Sequence, residues 1–258
     1  MPSALAQLLL PAECLHCHRL LPFDQSDDVI CRVCRSRFRS VRPPWCERCG
    51  QPEPHFGPCR LCRPWPKAFT HARSAVWLDE GPRAAVHALK YRSLPRIADD
   101  LAAVMARDLP APAPGSALVP IPLSAERLRR RRYNQSLWLA QALARLWHRP
   151  LYPELLIRQR DTPSQTALTP AARLANVAGA FRLRISECGL RIPNGGSPPE
   201  GRRHRTSAIR NPQSAIVLVD DVFTTGATLA EAARALDAAG FTEVSAVTFG
   251  RASIPDFS

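Results

Sequence analysis

The sequence predicts an α/β protein in which a small N-terminal module, held by metal, precedes a larger domain with a parallel sheet. Three observations carry this expectation. Eight of the nine cysteines lie before residue 63, as four CxxC pairs; an all-apolar run, Ala215 to Val219, leads straight into Asp220-Asp221 and a threonine-glycine loop; and the order from there on is strand, loop, helix, strand. A short run without polar interruption is what a central strand covered on both faces looks like, and the order that follows it is that of a βαβ unit.

Composition narrows the field. The 258 residues carry 35 Lys+Arg against 22 Asp+Glu, a formal net charge of +13, and 45% are hydrophobic, enough for a core and unlike a disordered or collagenous chain. The longest apolar stretch, Leu109 to Ala125, is broken by five prolines, so a membrane-spanning helix of about 20 residues is not expected. Met1 to Glu13 has a Leu8-Leu9-Leu10 run but neither a basic n-region nor a small-residue cleavage site, which points to a cytoplasmic protein. Lys67 and Lys90 are the only lysines. Arginine forks onto phosphate, which suits a nucleotide or nucleic-acid partner, but a chain rich in Ala, Pro and Arg also reflects GC-rich coding, so the position of the charge has to decide.

In chain order, the pairs Cys14/Cys17, Cys31/Cys34, Cys46/Cys49 and Cys59/Cys62 come first. One CxxC turn aims two thiolates at one ion and two turns close a tetrahedron, so eight cysteines fill two zinc sites with no open position for water. Such sites are structural. The simplest pairing is sequential, Cys14, Cys17, Cys31, Cys34 and Cys46, Cys49, Cys59, Cys62, with an interleaved pairing as the alternative. His16 and His18 flank ligands without being needed as ligands. Pro64-Trp65-Pro66 ends the cysteine-rich part, which places the domains at 1–66 and 67–258.

Apolar spacing then predicts two helices between Glu80 and Asp108, parted at Ser93-Leu94-Pro95. Ala117 to Ile121 reads as a short strand and Ser136 to Trp147 as a helix. Residues 186–213 show no period and read as a mobile insertion. After the strand Ala215 to Val219 come a helix, Thr228 to Ala239, closed by Gly240, and a last strand, Val244 to Phe249.

The chemistry concentrates after the apolar run. Asp220 and Asp221 are followed by Thr224, Thr225, Gly226, Ala227 and Thr228, where a loop enters a helix. Backbone N–H groups and hydroxyls at such a place cradle an anion, and adjacent carboxylates accept hydrogen bonds from neutral sugar hydroxyls. Earlier in the chain, Arg127, Arg129, Arg130, Arg131 and Arg132 follow a strand end and can meet a diphosphate or a nucleic-acid backbone.

The stretch Val217 to Leu229 resembles the PRPP-binding motif of type I phosphoribosyltransferases. That resemblance implies Asp220 and Asp221 on the ribose, the loop from Thr224 to Thr228 on the 5′-phosphate, and Mg²⁺ bound with PRPP. The order of parts across nearly the whole chain resembles ComF-type competence proteins, a double zinc ribbon before a phosphoribosyltransferase-like domain. The likeness includes Leu89-Lys90-Tyr91, Val119 to Leu123 with Arg127, Arg131, Asn134 and Gln135, and the series Arg158, Arg160, Thr162, Gln165, Leu168, Arg173, Asn176 and Phe181. It implies PRPP or a related phosphoribosyl ligand, single-stranded DNA and the DNA-uptake machinery as partners, with Lys90 among the phosphate-facing cations. Two departures stand out: Arg132 occupies a position where the family usually has glycine, and 186–213 replaces a short turn. An active phosphoribosyltransferase of unknown acceptor and a nucleotide-sensing zinc-ribbon adaptor remain as alternatives at this level.

Overall fold

The structure, a computed structural model, describes residues 11–52, 59–92, 94–160, 177–184 and 215–253. Residues 186–213 and the positions 162, 165, 168, 173 and 176 lie outside the described residues. In chain order the elements are α1 (Arg32–Ser36), β1 (Phe69–Trp77), α2 (Glu80–Tyr91), α3 (Arg96–Asp108), β2 (Ala117–Pro120), α4 (Ala125–Arg131), α5 (Gln135–Trp147), β3 (Leu156–Arg158), β4 (Phe181–Leu183), β5 (Ile216–Phe223), α6 (Ala227–Ala238) and β6 (Val244–Arg251).

Four strands form one parallel sheet in the order β1-β6-β5-β2, and β3 pairs antiparallel with β4. The central position of β5 explains its uninterrupted apolar sequence, since Ile216, Val217, Leu218 and Val219 are all buried. On one face, α2, α3 and α5 pack through Leu89, Leu101, Met105, Leu139 and Leu143. On the other, α6 and the β3–β4 hairpin pack through Leu229, Leu236, Leu156 and Phe181.

The cysteine-rich segment does not stand apart from this sandwich. Cys14, Leu21, Ile30, Cys34 and Phe38 belong to the core on the first face, whereas Cys49, Cys62, Trp65 and Phe69 belong to the core on the second. Each half of the segment therefore extends a different face. The edge strand β1 was not evident from the sequence, because Thr70, His71, Arg73 and Ser74 interrupt its apolar pattern. Its outer edge is taken by the cysteine-rich segment: Val41 N–H donates to Ala75 O at 3.0 Å, Ala72 N–H to Arg48 O at 2.8 Å, and Trp77 N–H to Arg39 O at 2.9 Å. An uncovered edge would invite pairing with another chain.

Buried polar contacts fix both attachments. Asp100 of α3, 3% exposed, accepts the N–H groups of Val29 at 2.8 Å and Ile30 at 2.7 Å and meets the Arg35 guanidinium. Burial pushes its carboxyl up to about 6, against the pull of Arg35. On the other side the Arg48 guanidinium donates to the carbonyls of Cys62, Trp65, Pro66 and Phe69, so a single side chain holds the whole connection into β1.

Candidate functional site

All four CxxC turns are built alike. The carbonyl of the first cysteine accepts the N–H four residues on: His18 at 2.9 Å, Arg35 at 3.0 Å, Gly50 at 2.8 Å and Arg63 at 3.2 Å. His18 and Gly50 share the left-handed backbone after the second cysteine of their turns, at φ 57° and 68°, which gives His18 a conformational role. The sulfurs assemble sequentially, Cys14, Cys17, Cys31, Cys34 in one group and Cys46, Cys49, Cys59, Cys62 in the other, each within 4.8 Å of one another. Sulfurs about 2.3 Å from a tetrahedral zinc lie about 3.8 Å apart; Cys17–Cys31, Cys46–Cys62 and Cys49–Cys59 are 3.9, 3.7 and 3.4 Å apart. The donor set fits structural zinc in both places.

The second site lies at the C-terminal end of β5. The strand continues past the expected end at Val219 and stays in register with β6 as far as Phe223 opposite Arg251. Asp220 and Asp221 are thus held within a strand rather than on a loose turn. Asp220 Oδ1 accepts from Ser136 Oγ at 2.8 Å and from the Asp221 N–H at 2.9 Å. Asp221, 5% exposed, has Oδ2 at 2.9 Å from Lys90 Nζ. Burial and the neighbouring Asp221 charge push Asp220 up to about 7, partly offset by Ser136. For Lys90, burial lowers the ammonium, but the facing carboxylates Asp221 and Asp220 outweigh it and lift the group above the usual lysine value.

The loop after β5 enters α6 through Gly226, the N-cap, at φ 76°. No side chain caps this helix and its first turn holds no acid, which leaves its first N–H groups for an anion. Thr228 is inside the helix rather than its cap. The Gly226 Cα is hemmed in, since a Cβ there would be 2.8 Å from Trp65 Cζ2 and 2.9 Å from Phe223 Cζ. Trp65 in turn stacks on Phe69 with centroids 4.3 Å apart. Arg251, 1% exposed, lies over the Phe223 ring at 4.5 Å and donates to Cys49 O at 2.9 Å. The second cysteine group is therefore linked to the loop at Gly226 by Trp65, and to Phe223 at the loop's base by Arg251 of β6. The sequence reading used Trp65 only as a boundary mark and gave Arg251 no role.

Acid pair, loop and arginines meet in a cleft of about 530 Å³ lined by Lys90, Arg127, Arg130, Arg131, Asp220, Asp221, Thr224 and Thr228. Arg129 and Arg132 are not part of its wall. Thr225 is buried, and its Oγ1 has no hydrogen-bond partner. Ser136, Gln135 and Arg158 also line the cleft. Arg158 is 9% exposed over the Phe181 ring; it and Gln135 had been quoted in the resemblance without a role. The α4–α5 junction is braced by Tyr133, which donates to Leu89 O at 2.9 Å and stacks on Trp138, and by Asn134, whose side chain donates to Ile121 O at 3.0 Å and accepts from Ser136 N–H at 3.0 Å.

A double zinc ribbon joined to a parallel-sheet α/β domain, with paired acids before a threonine loop, defines the class. A model of the double zinc ribbon domain matches residues 5–63. The chain is 31% identical over 240 residues to the DNA utilization protein YhgH of Escherichia coli K12, covering 89% of this chain and 92% of that protein. It is 28% identical over 218 residues to competence protein ComFC of Bacillus subtilis, covering 81% and 78%, and 26% identical over 253 residues to competence protein F of Haemophilus influenzae, covering 93% and 96%. The chain belongs to the ComF-type family. Among the described residues no helix is long and apolar enough to cross a membrane.

Proposed function

We propose that this protein, whose relatives are named DNA utilization protein and competence protein, supports DNA uptake or utilization by binding PRPP or a related phosphoribosyl ligand in the cleft and single-stranded DNA beside it. One observation carries the reading. Two carboxylates fixed in a central strand, an uncapped helix start and a set of arginines converge on one 530 Å³ cleft, which is the polarity pattern of a sugar that bears phosphate at both ends. Asp220 and Asp221 would accept from the ribose hydroxyls, Thr224 to Thr228 would hold the 5′-phosphate, and Lys90, Arg127, Arg130 and Arg131 would face the diphosphate. The buried, unpartnered Thr225 Oγ1 supports a polar ligand at the loop. Mg²⁺ would accompany PRPP and neutralise part of the diphosphate charge. The double zinc ribbon, residues 1–66 in this reading, would hold the loop in place instead of contacting ligand.

Calorimetric titration of the zinc-loaded protein with PRPP, with and without Mg²⁺, tests this. Saturable binding that ribose 5-phosphate weakens by competition is expected. Absence of any heat or thermal stabilisation by PRPP would overturn the phosphoribosyl reading. A pyrophosphate-release assay in the presence of bases and single-stranded DNA then separates a binding protein from a transferase.

A further inference from the structure

The cleft opens beside a second cavity of about 350 Å³, lined by Lys90, Tyr91, Arg130, Arg131, Arg132 and Tyr133, within the usual size range of small-molecule pockets. Its most unusual member is Arg132. This residue ends α4 in the left-handed conformation, φ 67° and ψ −2°, with its N–H on Leu128 O. Glycine adopts that backbone freely, whereas a residue with a Cβ is strained in it. The side chain is exposed and takes no carboxylate partner among the described residues, so no internal contact of the side chain accounts for the strain. Strained backbone of this kind gathers at functional sites. A favourable interaction with the α4 dipole would account for Arg129 to Arg131 in the last turn, but not for a side chain placed beyond it at the expense of backbone geometry.

Beside it stands an aromatic left in water. Tyr91 at the end of α2 is 60% exposed, with the Arg131 guanidinium 5.3 Å over its ring. Aromatic rings and guanidinium planes are the surfaces on which unstacked bases pile, with arginines to track the phosphates. We infer that this cavity, which shares Lys90, Tyr91, Arg130 and Arg131 with the cleft, carries a nucleotide subsite for single-stranded nucleic acid at its outer end: the exposed Tyr91 ring takes a base, and Arg132, which does not line the cleft, takes the adjoining phosphate. The inference deepens the single-stranded DNA part of the reading above, and does not depend on PRPP.

The test uses the full-length, zinc-loaded protein and a fluorescent oligothymidylate of about twelve nucleotides. Tyr91→Ala should weaken binding about 5-fold or more, and Tyr91→Phe should restore it, because stacking needs the ring and not the hydroxyl. Arg132→Gly should weaken binding and lower the slope of log affinity against log salt by about 0.7, while its melting temperature equals or exceeds that of the wild type. Its stabilisation by PRPP should not change. Wild-type affinity in both Tyr91→Ala and Arg132→Gly, no oligothymidylate binding by the wild type, or a lower melting temperature in Arg132→Gly would overturn the subsite. Loss of PRPP stabilisation in the wild type, with oligothymidylate binding that depends on Tyr91 and Arg132, would instead overturn the phosphoribosyl reading and leave the subsite standing.

Discussion

Replacing Gly226 by alanine probes the contact between the zinc-ribbon segment and the threonine loop after β5. Two penalties add at this position. The left-handed backbone, φ 76°, costs a Cβ-bearing residue about 1–2 kcal/mol. The new methyl group would also lie 2.8 Å from Trp65 Cζ2 and 2.9 Å from Phe223 Cζ, and neither ring can swing away, because Trp65 is stacked on Phe69 and Phe223 is covered by Arg251. Overpacking of this kind costs about 1–3 kcal/mol. The expected loss is therefore about 2–5 kcal/mol, a large part of the roughly 5–15 kcal/mol that holds a domain folded. Gly240 supplies the control: its φ is 91°, but a Cβ there meets nothing within 4 Å, so Gly240→Ala should show the backbone penalty alone, about 1–2 kcal/mol. Urea unfolding of both variants measures the difference. Equal losses would show that Trp65 and Phe223 do not press on the loop, and the argument that the second cysteine group supports it would fail.

Metal analysis of protein prepared under reducing conditions without chelator should give two zinc ions per chain; one or none would contradict two closed Cys₄ sites. Asp221→Asn should shrink the stabilisation by PRPP by roughly 1.5–3 kcal/mol, the worth of a hydrogen bond to a charged group, as read by thermal shift; an unchanged shift would place the ligand elsewhere. Asp220 is raised to about 7 by burial and the Asp221 charge, so the native state holds a proton that the unfolded chain releases at lower pH, and native stability falls as pH rises through about 7. Asp220→Asn removes that penalty, so its melting temperature relative to wild type should climb between pH 5 and pH 8, and a pH-independent difference would refute the assignment.

Much of this was legible in the sequence, and the parts that were not share a cause. Metal ligands and buried central strands advertise themselves locally. Four CxxC turns read the same whatever surrounds them, and β5, covered on both faces, tolerates no polar residue before Asp220. The helices α2, α3 and α5 showed themselves through apolar spacing, whereas α6, in which residues 229 to 233 are all buried, showed itself through its Ala/Leu-rich composition and the closing Gly240. Strand β1 lies at the sheet edge, where only part of its surface faces a core, and its alternation is blurred by His71 and Arg73. The arginine run 127–132 read as a strand end presenting charge, whereas it is largely the helix α4 with a left-handed exit: Arg127 lines only the cleft, Arg130 and Arg131 line both the cleft and the neighbouring cavity, and Arg132 lines only the latter.

The harder lesson concerns the boundary at residue 66. A cysteine-rich segment followed by a change of pattern looks like a separate module, since a segment that small needs metal to fold. Yet its apolar residues complete both faces of the sheet, and its backbone covers the edge of β1. The residues that bind the two parts together are charged: buried Asp100 on the first face, and half-buried Arg48 and buried Arg251 on the second. Each satisfies backbone groups more than 10 residues away, so no local pattern marks it. Removing one partner from such a network leaves buried charge unpaired, which costs far more than an exposed ion pair contributes. The zinc-ribbon segment is thus the outer wall of the α/β domain, and because its Trp65 packs on Gly226 while Arg251 of β6 ties its Cys49 carbonyl to the Phe223 ring, what holds the second cysteine group in shape also holds the threonine loop.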